Sequence, residues 1–194
     1  MRNKGEQTEV GKIVSEEKTY DNPYFPVVSR VVKTPQGEIR EPQLVWDREG
    51  KEFSVALALT TDNKFVLIRE PKYGQMRRLL SVPTGGIKKG EAPLDTAKRE
   101  FKEETGYEAE DWTQLRQTPI VDFADKIAGG EHHFFFGKNA HQTATPENLR
   151  EVVLISPEQA SQMIDGEIEG ERIEIAMSLV GIMLGLRYLE KANE

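Results

Sequence analysis

The chain of 194 residues is long enough for one domain with a sizeable core, with or without an appendage. Hydrophobic residues make up 37% of it and charged residues 30%, as in many globular proteins. The net charge of -7 argues against a general nucleic-acid binder and against a binder of acidic membranes, because both partners attract basic surfaces.

The chain contains no cysteine, which excludes disulfides and thiolate metal sites. Its polar start is unlike a signal peptide, and no apolar run approaches the ~20 residues that a membrane span needs. These features favour a cytoplasmic protein. A polyanionic substrate would be repelled by the net charge, so we expect cations to accompany such a substrate.

Residues 1–50 are expected to form an N-terminal extension, of which residues 1–18 are polar and expected to be loose. Aromatic and β-branched residues dominate 24–32 and 39–46, and a turn with proline and glycine separates them, which predicts a β-hairpin. Too little chain surrounds this hairpin to give it a core of its own. Residues 20–50 are therefore predicted to pack against a second copy of the chain.

Residues 51–194 are expected to form the main domain. Alternating apolar residues predict adjacent central strands over 53–60 and 64–70, joined by a turn at TDN. Further strands are predicted over 118–123, 132–136 and 152–155.

Three helices are predicted in this domain. Pro93 suits the first turn of a helix that ends at Gly106, and Ser156 with Gln159 forms the capping-box pattern of a second helix. An apolar face at helical spacing predicts a last helix over about 172–191. Strands and helices mix without a regular βαβ alternation, so the predicted fold class is α+β with a mixed sheet.

The segment REFKEETG (99–106) places Glu100, Glu103 and Glu104 close together on the first of these helices. Carboxylates three and four residues apart repel each other, at about 0.2–0.5 kcal/mol per pair. Mg²⁺ offsets such repulsion, because it takes oxygen ligands and is commonly bound by one or two carboxylates plus substrate phosphates. On this segment alone, a solvated charged face that the neighbouring Lys and Arg residues partly neutralise stays the alternative.

A longer pattern favours the metal site. The segment 85–107 resembles the signature of the Nudix hydrolase family, in which a glycine, a distant glutamate and an Arg-Glu-hydrophobic-any-Glu-Glu-any-Gly block follow at fixed spacing. The matching positions are Gly85, Glu91, Arg99, Glu100, Phe101, Glu103, Glu104, Gly106 and Tyr107. The resemblance implies an α/β/α sandwich with a mixed sheet between helices, here preceded by the N-terminal hairpin.

The resemblance also implies roles for individual residues. Glu100 and Glu104 would be the main ligands of a divalent cation, Mg²⁺ or else Mn²⁺, and Glu103 would share the metal or position water. The main-chain carbonyl of Thr84 would add a further ligand. Glu91 and Arg99 are counted among the catalytic candidates because they would pair and hold the loop onto the helix, although a purely structural pair is an open alternative.

Outside the signature, the hairpin, the segment 156–171 and the long last helix are similar to the ADP-ribose and nucleotide-sugar pyrophosphatases, whose N-terminal strands help to form a dimer. The implied reaction is attack of water on phosphorus in nucleoside diphosphate-X compounds. The implied enzyme is a homodimer, and we expect neither a membrane nor a nucleic acid as its partner. Leu80 and Ser81 stand where this branch often has Trp and Glu, which leaves ADP-ribose itself open. The alternatives are a dinucleoside polyphosphate or RNA-cap pyrophosphohydrolase and a non-catalytic nucleotide-binding regulator.

The remaining candidates come from outside the helix. Trp46 is a candidate for stacking on a base, Arg69 for a phosphate or ribose contact, and Gly85 and Gly86 for close approach of substrate to the backbone. The general base of this family often lies in a loop between later strands. Glu131 is our first choice as base or extra metal ligand, ahead of Asp122 and Asp125, and we expect it to move on its glycine-rich approach.

Overall fold

The computed structural model of the chain describes residues 11–21, 27–37, 39–47, 51–124, 127–147, 150–166 and 172–192. The strands are β1 Lys12–Tyr20, β2 Val27–Lys33, β3 Ile39–Asp47, β4 Glu52–Thr60, β5 Phe65–Lys72, β6 Arg77–Ser81, β7 Thr84–Gly86, β8 Tyr107–Gln114, β9 Ile120–Ala124, β10 Ile127–Gln142 and β11 Glu151–Ile155. The helices are α1 Pro93–Thr105, α2 Pro157–Asp165 and α3 Ala176–Ala192. None of the described helices combines the length and the apolarity that a membrane span requires.

The residues divide into two compact units, Met1–Lys51 with Val121–Gly130 and Glu52–Ile120 with Glu131–Glu194. In the first unit, β2 pairs antiparallel with β3 across the turn at Gly37, so the predicted hairpin is present. β1 pairs antiparallel with β2, although its sequence was expected to be loose. All nine residues of β1 are exposed, so this strand has no buried face.

The second unit is built around β4, whose nine residues are mostly buried. β10 runs parallel to β4, whereas β5 and β7 pair with β4 in the antiparallel direction. β6 and β11 extend the sheet from β5, and β8 pairs with β10. The sheet is therefore mixed, and the predicted α+β class is confirmed.

Helices cover both faces of this sheet. Neighbouring residues of one strand point to opposite faces and so belong to different buried clusters. Val55 and Phe134 belong to one buried cluster with Ile182 of α3, and α2 contributes to the same cluster. Their neighbours Ala56 and Phe135 belong to a second cluster with Phe101 of α1. The helix that carries the signature glutamates is thus held by a core of its own, on the opposite face from α3.

Helix α3 approaches β4 closely through small residues. A Cβ atom at Gly185 would lie 2.5 Å from Cδ2 of Leu57, so only glycine fits without a shift. Ser178, which is 2% exposed, accepts a hydrogen bond of 3.0 Å from the main-chain N–H of Val82. The last helix therefore fixes the backbone two residues before Thr84.

Candidate active site

Helix α1 is positioned by its two ends and its buried stripe. Pro93 occupies the first turn, where a missing N–H costs nothing, and Phe101 is fully buried. Gly106 ends the helix in the left-handed conformation with φ 72°, and its N–H donates to the carbonyl of Lys102 at 2.8 Å. The signature carboxylates, which are Glu100, Glu103 and Glu104, project from this anchored helix.

Gly85 leaves room for the first of these carboxylates. A Cβ atom at this position would lie 1.9 Å from Cδ and 2.1 Å from Oε1 of Glu100. At Gly86 the same atom would meet nothing closer than Cε1 of Phe53 at 3.9 Å. The sequence suggested that both glycines admit substrate, but Gly85 lies directly against Glu100. The assignment of both glycines to substrate binding stays a prediction.

Arg99 joins three glutamates of the signature. Its Nε and Nη2 atoms donate to the two oxygens of Glu91 at 2.8 and 3.0 Å, and its Nη1 lies 2.6 Å from Glu100 and 3.1 Å from Glu103. The hydrogen bonds from Arg99 lower the pKa of Glu91 to about 2. Arg99 thus ties the loop that carries Glu91 to the helix, and the catalytic assignment of both residues stays a prediction.

Glu104 is the most buried signature carboxylate, with 6% of its side chain exposed. The N–H of Thr84 donates to its Oε2 at 3.1 Å, so the residue whose carbonyl is expected to be a metal ligand lies beside this side chain. Burial raises the pKa of Glu104 to about 7, even though the charge of Arg150 acts in the opposite direction. A buried carboxylate with a raised pKa is a common feature of functional sites.

Arg150 and Glu70 complete this network, and neither was foreseen from the sequence. Nη2 of Arg150 lies 2.7 Å from Glu104, and its Nε lies 3.3 Å from Glu70. Burial would raise the pKa of Glu70, but hydrogen bonds and charges from Lys72, Ser81 and Arg150 outweigh it and lower this pKa. Three acidic and basic side chains from β5, α1 and the segment before β11 therefore meet at one point.

Main-chain contacts hold the segment that precedes Arg150 against α1. The N–H groups of Thr143 and Ala144 donate to the carbonyl of Gly106, and that of Glu147 donates to the carbonyl of Glu103 at 2.9 Å. A Cβ atom at Gly106 would lie 2.3 Å from the carbonyl oxygen of Ala144. Gly106 therefore serves both the end of α1 and the segment that leads to Arg150.

The contacts described above include neither Arg69 nor Trp46, the two side chains predicted to bind substrate. Arg69 is adjacent to Glu70 in β5 and so points to the opposite face, where it lies 3.1 Å from Glu151 and lines a cavity of about 340 Å³. The backbone of Trp46 lies in β3, but its side chain is outside the described residues. The contacts of both residues with substrate stay predictions.

Of the three candidates for the general base, only Glu131 has a described side chain. Glu131 lies inside β10, opposite Glu52 of β4, and not in a loop. The expected approach through "AGG" is part of this strand, because Ile127 and Ala128 pair with β3. The side chain of Asp122 and the whole of Asp125 are outside the described residues.

The donor set fits a hard divalent cation. Glu100 and Glu104 offer carboxylate oxygens, Thr84 lies beside Glu104, and Gly85 provides the space that Glu100 occupies. Oxygen ligands of this kind are those that Mg²⁺ and Mn²⁺ prefer. The raised pKa of Glu104 indicates that burial opposes its negative charge, which a bound cation would neutralise.

The chain resembles known proteins over most of its length. The family described as the NUDIX domain matches residues 50–174. The chain is 27% identical to a methanol dehydrogenase activator of Bacillus methanolicus over 164 residues, which cover 81% of this chain and 85% of the relative. It is also 27% identical to an ADP-ribose pyrophosphatase of Bacillus subtilis over 142 residues, which cover 73% of this chain and 71% of the relative.

A crystal structure of an ADP compounds hydrolase has the same fold. The TM-score is 0.78, and the superposition covers 94% of this chain and 95% of that chain at 19% sequence identity. At this identity the likeness establishes the architecture alone. It agrees with the mixed sheet and the helical layers that the sequence predicted.

Proposed function

The chain belongs to the NUDIX domain family, and from this we propose that it is a divalent-metal-dependent pyrophosphohydrolase of nucleoside diphosphate-X compounds. The observation that carries the proposal is that Glu104 lies beside Thr84 while Glu100 lies beside Gly85, the next residue. The similarity to an ADP-ribose pyrophosphatase supports ADP-ribose and nucleotide sugars as the first substrates to test.

In this proposal the side chains have distinct tasks. Glu100, Glu104 and the Thr84 carbonyl hold Mg²⁺ or Mn²⁺, which when bound polarises the phosphorus–oxygen bonds and activates water. Arg99 keeps Glu100 in place from one side and anchors the Glu91 loop from the other. The net charge of -7 makes this cation important for binding as well, because it offsets repulsion of a diphosphate.

A substrate panel tests the proposal. Metal-free protein is mixed with ADP-ribose, nucleotide sugars, dinucleoside polyphosphates and 5′-triphosphate RNA, with and without Mg²⁺ or Mn²⁺, and nucleoside monophosphate and phosphate are measured. We expect metal-dependent release of monophosphate from ADP-ribose or a nucleotide sugar. Turnover of the RNA or dinucleoside arm alone would favour the second activity, and nucleotide binding without cleavage of any compound would favour a regulator.

Two variants connect the activity to this site. Glu104→Gln should lower kcat/KM at least about 100-fold, since even partners behind a metal ligand typically contribute 10–100-fold. Glu108→Gln is the matched control, because Glu108 pairs with Lys102 at the surface of the same region. Equal effects of the two substitutions would contradict the proposed role of Glu104.

We also propose that the enzyme is a homodimer that assembles through its N-terminal unit. Among the described residues, β1 pairs only with β2, and it exposes Ile13, Val14 and Tyr20 by 54–56%. Exposed apolar side chains on an edge strand favour association with another chain.

A further inference from the structure

A second group of potential ligands contains none of the signature carboxylates. One ligand atom from each of Glu52, Glu131 and His133 lies within 4.8 Å of the other two. The group shares no residue with the set Glu100, Glu104 and Thr84, although it includes Glu131, our first candidate for the general base. We propose that Glu52, Glu131 and His133 form a separate binding site for a transition-metal dication of the Zn²⁺ or Mn²⁺ class.

The strand register is the first argument for this site. Glu131 lies directly opposite Glu52 in the parallel pair of β10 and β4, and His133 lies opposite Ser54. Residues that are two apart in a strand point to the same face, so all three side chains extend from one side of the sheet. The pairing of β10 with β4 therefore brings these three side chains together, whichever rotamers they adopt.

The charges are the second argument. Like charges directly opposite each other on neighbouring strands destabilise a sheet, and Glu52 and Glu131 occupy such positions. A dication between the carboxylates would convert this repulsion into attraction. The same face carries Phe135 two residues after His133, where it packs against the core of α1.

The environment of His133 is the third argument. Its Nε2 atom is inaccessible to solvent and has no hydrogen-bond partner, while 13% of the side chain is exposed. This nitrogen lies 3.9 Å from Oε1 of Glu52, which is too long for a hydrogen bond. A buried imidazole nitrogen without a partner costs free energy, and coordination of a cation would satisfy it.

The donor chemistry selects the class of cation. One imidazole nitrogen and two carboxylate oxygens suit Zn²⁺, Mn²⁺ and related ions, whereas Mg²⁺ prefers oxygen ligands alone. Metal–ligand bonds of ~2.0–2.2 Å require ligand atoms about 3–4 Å apart, so the observed group needs to contract by only about 1 Å. Three protein ligands leave at least one position for water or another ligand.

The test separates this site from the signature site. Metal-free Glu100→Gln/Glu104→Gln protein is titrated with Zn²⁺ by calorimetry and with Co²⁺ by visible absorption. We expect one saturable equivalent to bind. Adding His133→Asn, Glu52→Gln or Glu131→Gln to this background should weaken binding at least about 10-fold, whereas His141→Asn, which alters an exposed histidine outside the group, should leave it unchanged.

A second measurement does not depend on the folding of these variants. In protein labelled with ¹⁵N-histidine, Zn²⁺ should shift the Nε2 resonance of His133 and leave that of His141 unchanged. No saturable binding, equal affinity in the His133→Asn protein, or a His133 resonance that responds to pH but not to Zn²⁺ would overturn the proposal in favour of a simple ion pair. Neither measurement involves hydrolysis, so failure here leaves the proposed enzymatic function untouched.

Discussion

The guanidinium of Arg150 lies 2.7 Å from the carboxylate of Glu104, a residue 46 positions earlier in the chain that is 5% exposed. The same guanidinium contacts Glu70, so one cation serves two carboxylates with little access to solvent. This arrangement places a protein cation on a carboxylate that the proposed metal would also use. The first prediction concerns the competition between the two.

Arg150→Met should lower the free energy of unfolding of the metal-free protein by roughly 2 kcal/mol, because the buried Glu104 loses its counter-charge and Glu70, among the described residues, keeps only Lys72. Saturating Mg²⁺ should recover part of this loss, since the metal replaces the guanidinium beside Glu104. Urea titrations with and without Mg²⁺ measure both effects. The control is Arg77→Met, whose exposed pair with Glu174 should contribute less than about 0.5 kcal/mol. Similar losses in the two variants would contradict the prediction.

Gly85→Ala should abolish most activity while leaving the fold intact. The added Cβ would collide with the flexible end of Glu100, which can rotate away at low cost to stability but then leaves its position in the site. A displacement of about 1 Å can lower turnover 100-fold. The control Gly74→Ala, in a turn where a Cβ atom would meet nothing within 4 Å, should stay within about threefold of the parent. Steady-state kinetics and thermal melts decide this, and full activity in Gly85→Ala would refute it.

The ion pair of Glu91 and Arg99 should make stability depend on pH in acid. The pKa of Glu91 falls from 4.5 to about 2 in the folded chain, so its stabilising contribution is complete above pH 4.5 and disappears as pH falls through 2. Glu91→Gln should therefore lower Tm at pH 7, and the difference from the parent should shrink between pH 4.5 and 2. Glu110→Gln, an exposed control, should show little difference at either pH. A difference independent of pH would show that packing is responsible.

Gly185→Ala should destabilise the protein even though alanine favours helices by about 1 kcal/mol. Its Cβ would overlap Cδ2 of Leu57, which is 1% exposed and cannot move aside freely. Overpacking of this kind typically costs 1–3 kcal/mol. Gly181→Ala, where the nearest atom is Cγ1 of Val55 at 3.2 Å, should cost less. Chemical denaturation measures the free energy of unfolding of both variants. A larger loss in Gly181→Ala than in Gly185→Ala would contradict the packing argument.

Light scattering tests the proposed homodimer. At micromolar concentration we expect a mass of twice the 22.0 kDa chain. Removal of residues 1–50 should reduce the mass to that of one shortened chain, because the proposed interface lies in the N-terminal unit. A parent protein that elutes as a single chain would refute the proposal.

The sequence predicted the parts of the molecule whose signals are local. The helix with Glu100 and Glu104 follows from signature spacing, and the capping box of Ser156 and Gln159 is present with both hydrogen bonds. The strands around β4 follow from apolar alternation. Each of these features is encoded within a short segment, so no knowledge of the remaining chain was needed.

Features that depend on distant residues were missed. Arg150 meets Glu104 because β11, which it precedes, pairs with β5 and the segment after β10 binds the end of α1. No local pattern in the sequence indicates either contact. Residues 1–18 were expected to be loose because they are mostly polar and lie at the chain end, although backbone pairing with β2 makes Lys12–Tyr20 a strand. Glu131 was expected on a mobile loop because glycines precede it, yet pairing extends β10 through them.

The hydrogen bond from Val82 to Ser178 has a consequence for what counts as the catalytic module. The NUDIX match ends at residue 174, before α3 begins, yet α3 supplies the hydroxyl that holds the backbone leading to Thr84. A chain ending at 174 would keep every signature residue but would lose the hydrogen bond between Val82 and Ser178. We therefore expect the shortest active chain to extend beyond the family match and to include α3, whose contribution is to support the backbone before Thr84.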